Sequence, residues 1–160
     1  MNRWALSCAL VVLVLLGSMA STADAQRRSR RHVGWTSPGP TYGAHVGYDF
    51  DDDDVLAGAQ LSWPFSPALE FYPTFDVYFA NGATPWALNF DLKYRPPTRY
   101  RIWYLGGGLN LLHTSGNTDT NLGLFTGLEA RSGRTRPYVE GRFILASNTI
   151  FQLAAGLSWR

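Results

Sequence analysis

From Thr41 to the C-terminus, apolar and polar side chains alternate with a period of two. That period belongs to strands with one apolar face; a helix would repeat its apolar positions every three or four residues. Eight strands are predicted. The first, Thr41 to Asp49, sets Tyr42, Ala44, Val46 and Tyr48 against Gly43, His45, Gly47 and Asp49. The second, Val55 to Phe65, sets Ala57, Ala59, Leu61 and Trp63 against Gly58, Gln60 and Ser62; the third, Leu69 to Phe79, sets Phe71, Phe75 and Val77 against Glu70, Tyr72, Thr74 and Asp76. Pro73 interrupts the middle of the third, since proline donates no ladder hydrogen bond. The fourth, Trp86 to Arg95, has the cleanest pattern: Leu88, Phe90, Leu92 and Tyr94 oppose Asn89, Asp91, Lys93 and Arg95. Tyr100 to Leu112, Asn121 to Arg131, Pro137 to Leu145 and Ile150 to Trp159 complete the set. Segments rich in Pro, Gly, Asp and Asn separate them, as turn chemistry requires; the longest of these, His113 to Thr120, is predicted to be a loop.

Before Thr41 the pattern is different. Arg3 precedes an apolar run from Trp4 to Leu16, and Ala23-Asp24-Ala25 fits an A-x-A cleavage site, so residues 1–25 are expected to be a secretory signal peptide. The run is shorter than the ~20 apolar residues of a spanning helix. Residues 26–40 form a basic tail, Arg27-Arg28-Ser29-Arg30-Arg31 followed by Pro38-Gly39-Pro40, expected to lie in the periplasm. Cys8 falls inside the signal peptide, so the mature chain holds no cysteine for disulfides or thiolate metal sites.

Alternation leaves two eight-stranded barrels open. A soluble periplasmic barrel turns its apolar face inward around an apolar ligand; a membrane barrel turns it outward to lipid. Three features favour the membrane. Aromatics mark strand ends on the apolar face, Tyr48, Trp63, Phe65, Phe71, Phe79, Trp86, Tyr94, Trp103 and Trp159, as girdles at the two bilayer interfaces would. The polar face mixes glycines with large groups such as Tyr72, Phe125 and Arg142, which suits a narrow lumen. Strands of about ten residues match a tilted crossing of the hydrocarbon core. Closure also gives every backbone polar group a partner in lipid, and an even strand number puts both termini on one side.

The chain resembles the small outer-membrane β-barrels typified by outer membrane protein X and the OmpA transmembrane domain. The resemblance rests on Tyr104-Leu105-Gly106-Gly107-Gly108-Leu109, on Arg136-Pro137-Tyr138-Val139-Glu140-Gly141-Arg142-Phe143, and on the closing Gly156-Leu157-Ser158-Trp159-Arg160. The last is similar to the C-terminal signal read by the barrel-insertion machinery, with Arg160 added after the terminal aromatic. The resemblance implies an all-β, up-and-down transmembrane barrel over residues 41–160, located in the outer membrane of a Gram-negative-type bacterium with both termini periplasmic. It implies architecture and no activity.

Charge then refines the picture. The chain carries 14 Lys+Arg against 12 Asp+Glu, a balance that offers no basic surface for nucleic acid. On the inward face Glu70, Asp91, Lys93, Arg95, Glu129, Arg131, Glu140 and Arg142 are expected to pair as an ionic network that fills the lumen, so the barrel is not a general porin. With periplasmic termini, Asp51, Asp52, Asp53 and Asp54 fall at the outer rim, where their carboxylates offer oxygens to a divalent cation. They lack the spacing and turn glycine of a high-affinity calcium loop. Arg95, Arg99, Arg101, Arg131, Arg134, Arg136 and Arg160 fall at the periplasmic rim, facing anionic lipid headgroups. Outer-membrane lipids and the insertion machinery are the expected partners, and no cofactor is expected. His113 and Ser115 are the one pair with a catalytic look: residues two apart in a strand share a face, so His113 could activate Ser115 as in lipid A deacylases. A three-residue match of this kind arises often by chance, and the expectation is a non-enzymatic barrel with a structural or surface-interaction role.

Overall fold

A computed structural model describes residues 37–80, 82, 84–97, 102–130 and 133–160. The signal peptide, the arginine run of the tail, and Arg99, Arg101 and Arg131 lie outside the described residues. Eight antiparallel strands, β1 (Thr41–Asp49), β2 (Asp54–Pro64), β3 (Leu69–Phe79), β4 (Trp86–Tyr94), β5 (Trp103–Thr114), β6 (Asn117–Glu129), β7 (Thr135–Leu145) and β8 (Thr149–Trp159), pair in chain order and close into a barrel. The seam joins β1 to β8, with Tyr42 opposite Trp159 and Asp49 opposite Gln152. Both chain ends of the barrel therefore lie at one rim, the terminal rim. The turns after β1, β3, β5 and β7 form the distal rim.

The alternation sorts the two faces of the wall. Phe75, Phe90, Leu92, Leu109, Leu122, Leu128, Val139 and Leu157 are all exposed on the outside. Inside, the buried groups are mostly polar or charged: Gln60, Asp76, Asn89, Asp91, Lys93, Asn110, Glu129, Glu140 and Arg142. This is a soluble protein's distribution turned inside out, and it removes the reading as a soluble barrel with an apolar interior. Two small apolar clusters punctuate the lumen, Leu56–Tyr78–Ala87 and Tyr72–Tyr104–Phe125.

Strand boundaries match the prediction or shift by one or two residues except at the starts of β5 and β6, and one assignment is overturned. His113 to Thr120 is no loop. β5 continues to Thr114, β6 begins at Asn117, and Ser115-Gly116 alone makes the turn. Both turn residues have positive φ, 49° and 91°, as a two-residue type I′ hairpin demands. The polar run Asn117 to Asn121 pairs with β5 through its backbone and extends beyond the ladder to β7, which starts at Leu122.

Candidate functional site: the barrel lumen and its rims

The lumen is organised by glycines in register between larger neighbours. His45 on β1 pairs with Gly58 on β2, which pairs in turn with Asp76 on β3. With no side chain between them, His45 Nε2 reaches Asp76 Oδ1 at 2.7 Å. On the other side, Gly156 of β8 separates His45 from Tyr138 of β7, and the tyrosine hydroxyl lies 3.0 Å from His45 Nδ1. Gly127 does the same for Tyr104 and Glu140, where the hydroxyl donates to Oε2 at 2.9 Å. A Cβ at Gly58 would collide with both Asp76 Oδ1 and His45 Nε2, and one at Gly127 with the ring and hydroxyl of Tyr104.

Charges occupy the same framework in two tiers. Midway through the barrel, Arg142 Nη2 bridges Asp91 Oδ2 at 2.8 Å and Glu140 Oε1 at 3.2 Å. Lys93 Nζ lies 3.5 Å from the centre of the Tyr72 ring and 4.4 Å from that of Tyr104. The two hydroxyls of Tyr72 and Tyr138 converge on Gln60 Oε1. Nearer the terminal rim, Arg95 Nε holds Glu70 Oε1 at 2.6 Å while its Nη2 pairs with Glu129. Arg136 approaches Glu129 at 3.7 Å, and Ser158 donates to it at 2.7 Å. Of the eight inward charges read from sequence, seven are thus gathered into these tiers, and Arg131 lies outside the described residues. Asp76 with His45, Gln60 and the tyrosines 72, 104 and 138 were not among those eight. Their inward parity was visible, but the register that joins them across glycines was not.

At the distal rim Asp49 closes the first turn on itself. Its Oδ1 accepts the backbone N–H of Asp51 at 3.0 Å and of Asp52 at 3.4 Å, and its Oδ2 accepts from Gln152 at 2.9 Å. The Tyr48 hydroxyl donates to Asp53 at 3.2 Å. Asp52 is held above the usual carboxylate range by partial burial and by the neighbouring charges of Asp49, Asp51 and Asp54. Among the described residues no three acidic, His or Cys side chains converge as a metal site, and Asp51 to Asp54 are spread along the turn. His113 does not meet Ser115. Its ring stacks on Trp86 with centroids 5.0 Å apart, and its Nδ1 lies 2.9 Å from Thr118 Oγ1 across the hairpin, while Ser115 sits in the turn.

The aromatic residues divide between the rims. Trp63, Phe65, Phe71, Tyr94, Trp103 and Trp159 lie toward the terminal rim, Tyr48, Phe79 and Trp86 toward the distal one. All are exposed except Tyr94, which is half-buried. A distal stack that sequence did not single out runs from Tyr48 through Phe50 and Phe151 to Phe143, each step between 4.8 and 5.5 Å. A cup of about 350 Å³ opens at the terminal rim beside Glu70, Arg95, Glu129 and Arg160. Another of about 410 Å³ opens at the distal rim beside Asp49, Asp52, Asp54 and Ile150.

No family model matches the chain, and no curated protein sequence matches it. Solved structures do match in fold. Neisserial surface protein A is 14% identical, covering 78% of this chain and 99% of its own, with a TM-score of 0.59. The N-terminal β-barrel domain of Pseudomonas aeruginosa OprF is 14% identical, covering 75% and 96%, with a TM-score of 0.56. A de novo designed transmembrane β-barrel is 13% identical, covering 78% and 97%, again with a TM-score of 0.56. At these identities the likeness is one of fold, and the fold is that of the small eight-stranded outer-membrane barrels.

Proposed function

We propose that this chain is an integral outer-membrane barrel with both termini in the periplasm, that its lumen is closed to general diffusion by charged side chains, and that it serves a structural or surface-interaction role. One observation carries the reading: large apolar side chains cover the outside of the wall while Lys93, Asp91, Glu140 and Arg142 are buried inside it. Apolar surface on that scale needs lipid against it. An interior just wide enough for side chains, and filled by paired charges, leaves no aqueous path of porin width. The terminal rim, which carries Arg95, Arg136 and Arg160, then faces the phospholipid side of the membrane, and the β5–β6 hairpin projects outward.

Cysteine labelling in intact cells tests the orientation. Cysteine at Thr118, on the hairpin, is expected to react with a membrane-impermeant maleimide. Cysteine at Arg134, in the turn before β7, is expected to react only after the envelope is opened. The reverse pattern would overturn the topology, and recovery of the protein in the soluble periplasmic fraction would overturn the membrane reading itself.

A further inference from the structure

Midway through the lumen lies a cavity of about 20 Å³ whose polar wall includes His45, Thr74, Tyr138, Glu140 and Arg142. Leu56 and Ala154 close its apolar side. A water molecule needs roughly 10–15 Å³ of such space and two to four polar partners, so the cavity has room for one. Arg142 supplies a reason for it to be filled. Its Nη2 is committed to Asp91 and Glu140, but its Nη1 is buried and has no acceptor among the described residues. A guanidinium proton left without an acceptor in a buried site costs more than an ordinary hydrogen bond gains.

The chemistry of the wall selects the occupant. A bare cation would stand beside the Arg142 guanidinium, and a halide beside the Glu140 carboxylate. A neutral molecule of one heavy atom that both accepts and donates meets neither objection. We infer that this cavity is a hydration site for a single water, which accepts from the Arg142 guanidinium and donates to oxygens of the wall, with Glu140, Thr74 and Gln152 offering acceptors. The charged plug is then a hydrated assembly in which Arg142 has three partners: two carboxylates and a water. This stands on the cavity and the guanidinium alone, whichever membrane or role the barrel has.

X-ray footprinting of the refolded full chain in detergent micelles tests the inference, because radiolysis of a bound water releases hydroxyl radical beside the side chains that hold it. Tyr138 and Leu56 line the cavity, while Tyr72 and Tyr104, also buried, do not. Tyr138 and Leu56 are expected to be modified at least several-fold faster than the two control tyrosines. Filling the cavity by Ala154→Val, or from the opposite wall by Leu56→Phe, is expected to bring Tyr138 down to the control rate, with folding checked by heat-modifiable gel mobility. Equal rates at all the buried tyrosines of the wild-type protein would overturn the site. So would a fast rate at Tyr138 that survives filling in a folded variant, since bulk solvent would then be the source.

Discussion

At the scale of single residues, Arg142 is the cation that Asp91 and Glu140 share in the middle of the lumen. Removing it leaves Asp91 and Glu140 buried without their shared cation, a change that costs roughly 3–5 kcal/mol in a buried pair. Arg134 is exposed in a turn, where a lost charge is worth about 0–1 kcal/mol. Urea unfolding in lipid vesicles should therefore show a large drop in midpoint for Arg142→Ala and almost none for Arg134→Ala; equal midpoints would mean that Arg142 is already solvated. The glycines give a second, sharper comparison. Gly58→Ala, Gly127→Ala and Gly156→Ala each thrust a Cβ into a paired side chain and a backbone carbonyl, whereas at Gly123 the nearest atom, Arg142 Nη1, is 3.4 Å away. Overpacking of this kind costs about 1–3 kcal/mol, so the first three variants should unfold at lower urea than Gly123→Ala. Sequence could place His45, Gly58 and Asp76 on one face from their parity. It could not show that they stand in one row, because the stagger between neighbouring strands is set by turn lengths and closure, neither of which is written in the alternation.

Among the elements, the β5–β6 hairpin departs most from what the pattern suggests. Asn117 to Asn121 has no apolar face, and beyond the bilayer a strand needs none: backbone pairing to β5 and the turn suffice. Polarity alone made it look like a loop. The signal that marks the hairpin is Ser115-Gly116, a dipeptide suited to two left-handed residues. A β-branched residue strains at positive φ, so Ser115→Val should loosen the hairpin while Ser115→Asn should not. Because residues 117–121 pair on one side only, their amides should exchange with deuterium faster than those of residues 123–127, which pair with both β5 and β7. Equal protection would show that something covers the free edge. In the β1–β2 turn, the carboxyl of Asp52 binds its proton more tightly folded than unfolded, because it is partly buried and three carboxylates crowd it. Stability is then lost as pH rises through the carboxylate range and regained below it. Asp52→Asn should raise the unfolding midpoint slightly at neutral pH, by a few tenths of a kcal/mol for so solvated a group, and the gain should vanish in acid.

For the whole molecule, length, faces and closure agree. Strands such as β2, β7 and β8 have 11 residues, which at ~3.3 Å per residue and a tilt of ~40° rise about 28 Å, enough to cover an apolar band of ~25 Å. The architecture was legible because a lipid-facing wall and a packed lumen impose the same period on every strand. The function of the lumen was legible only as a surplus of inward charge, and its arrangement into an Arg142 tier and an Arg95 tier came from register. On the function proposed above, these tiers close the barrel. Incorporation of the purified, refolded protein into a planar lipid bilayer measures that directly. No stable large conductance is expected from the wild-type chain at neutral pH; steady channels of porin size would contradict the closed lumen and the structural or surface-interaction role proposed from it.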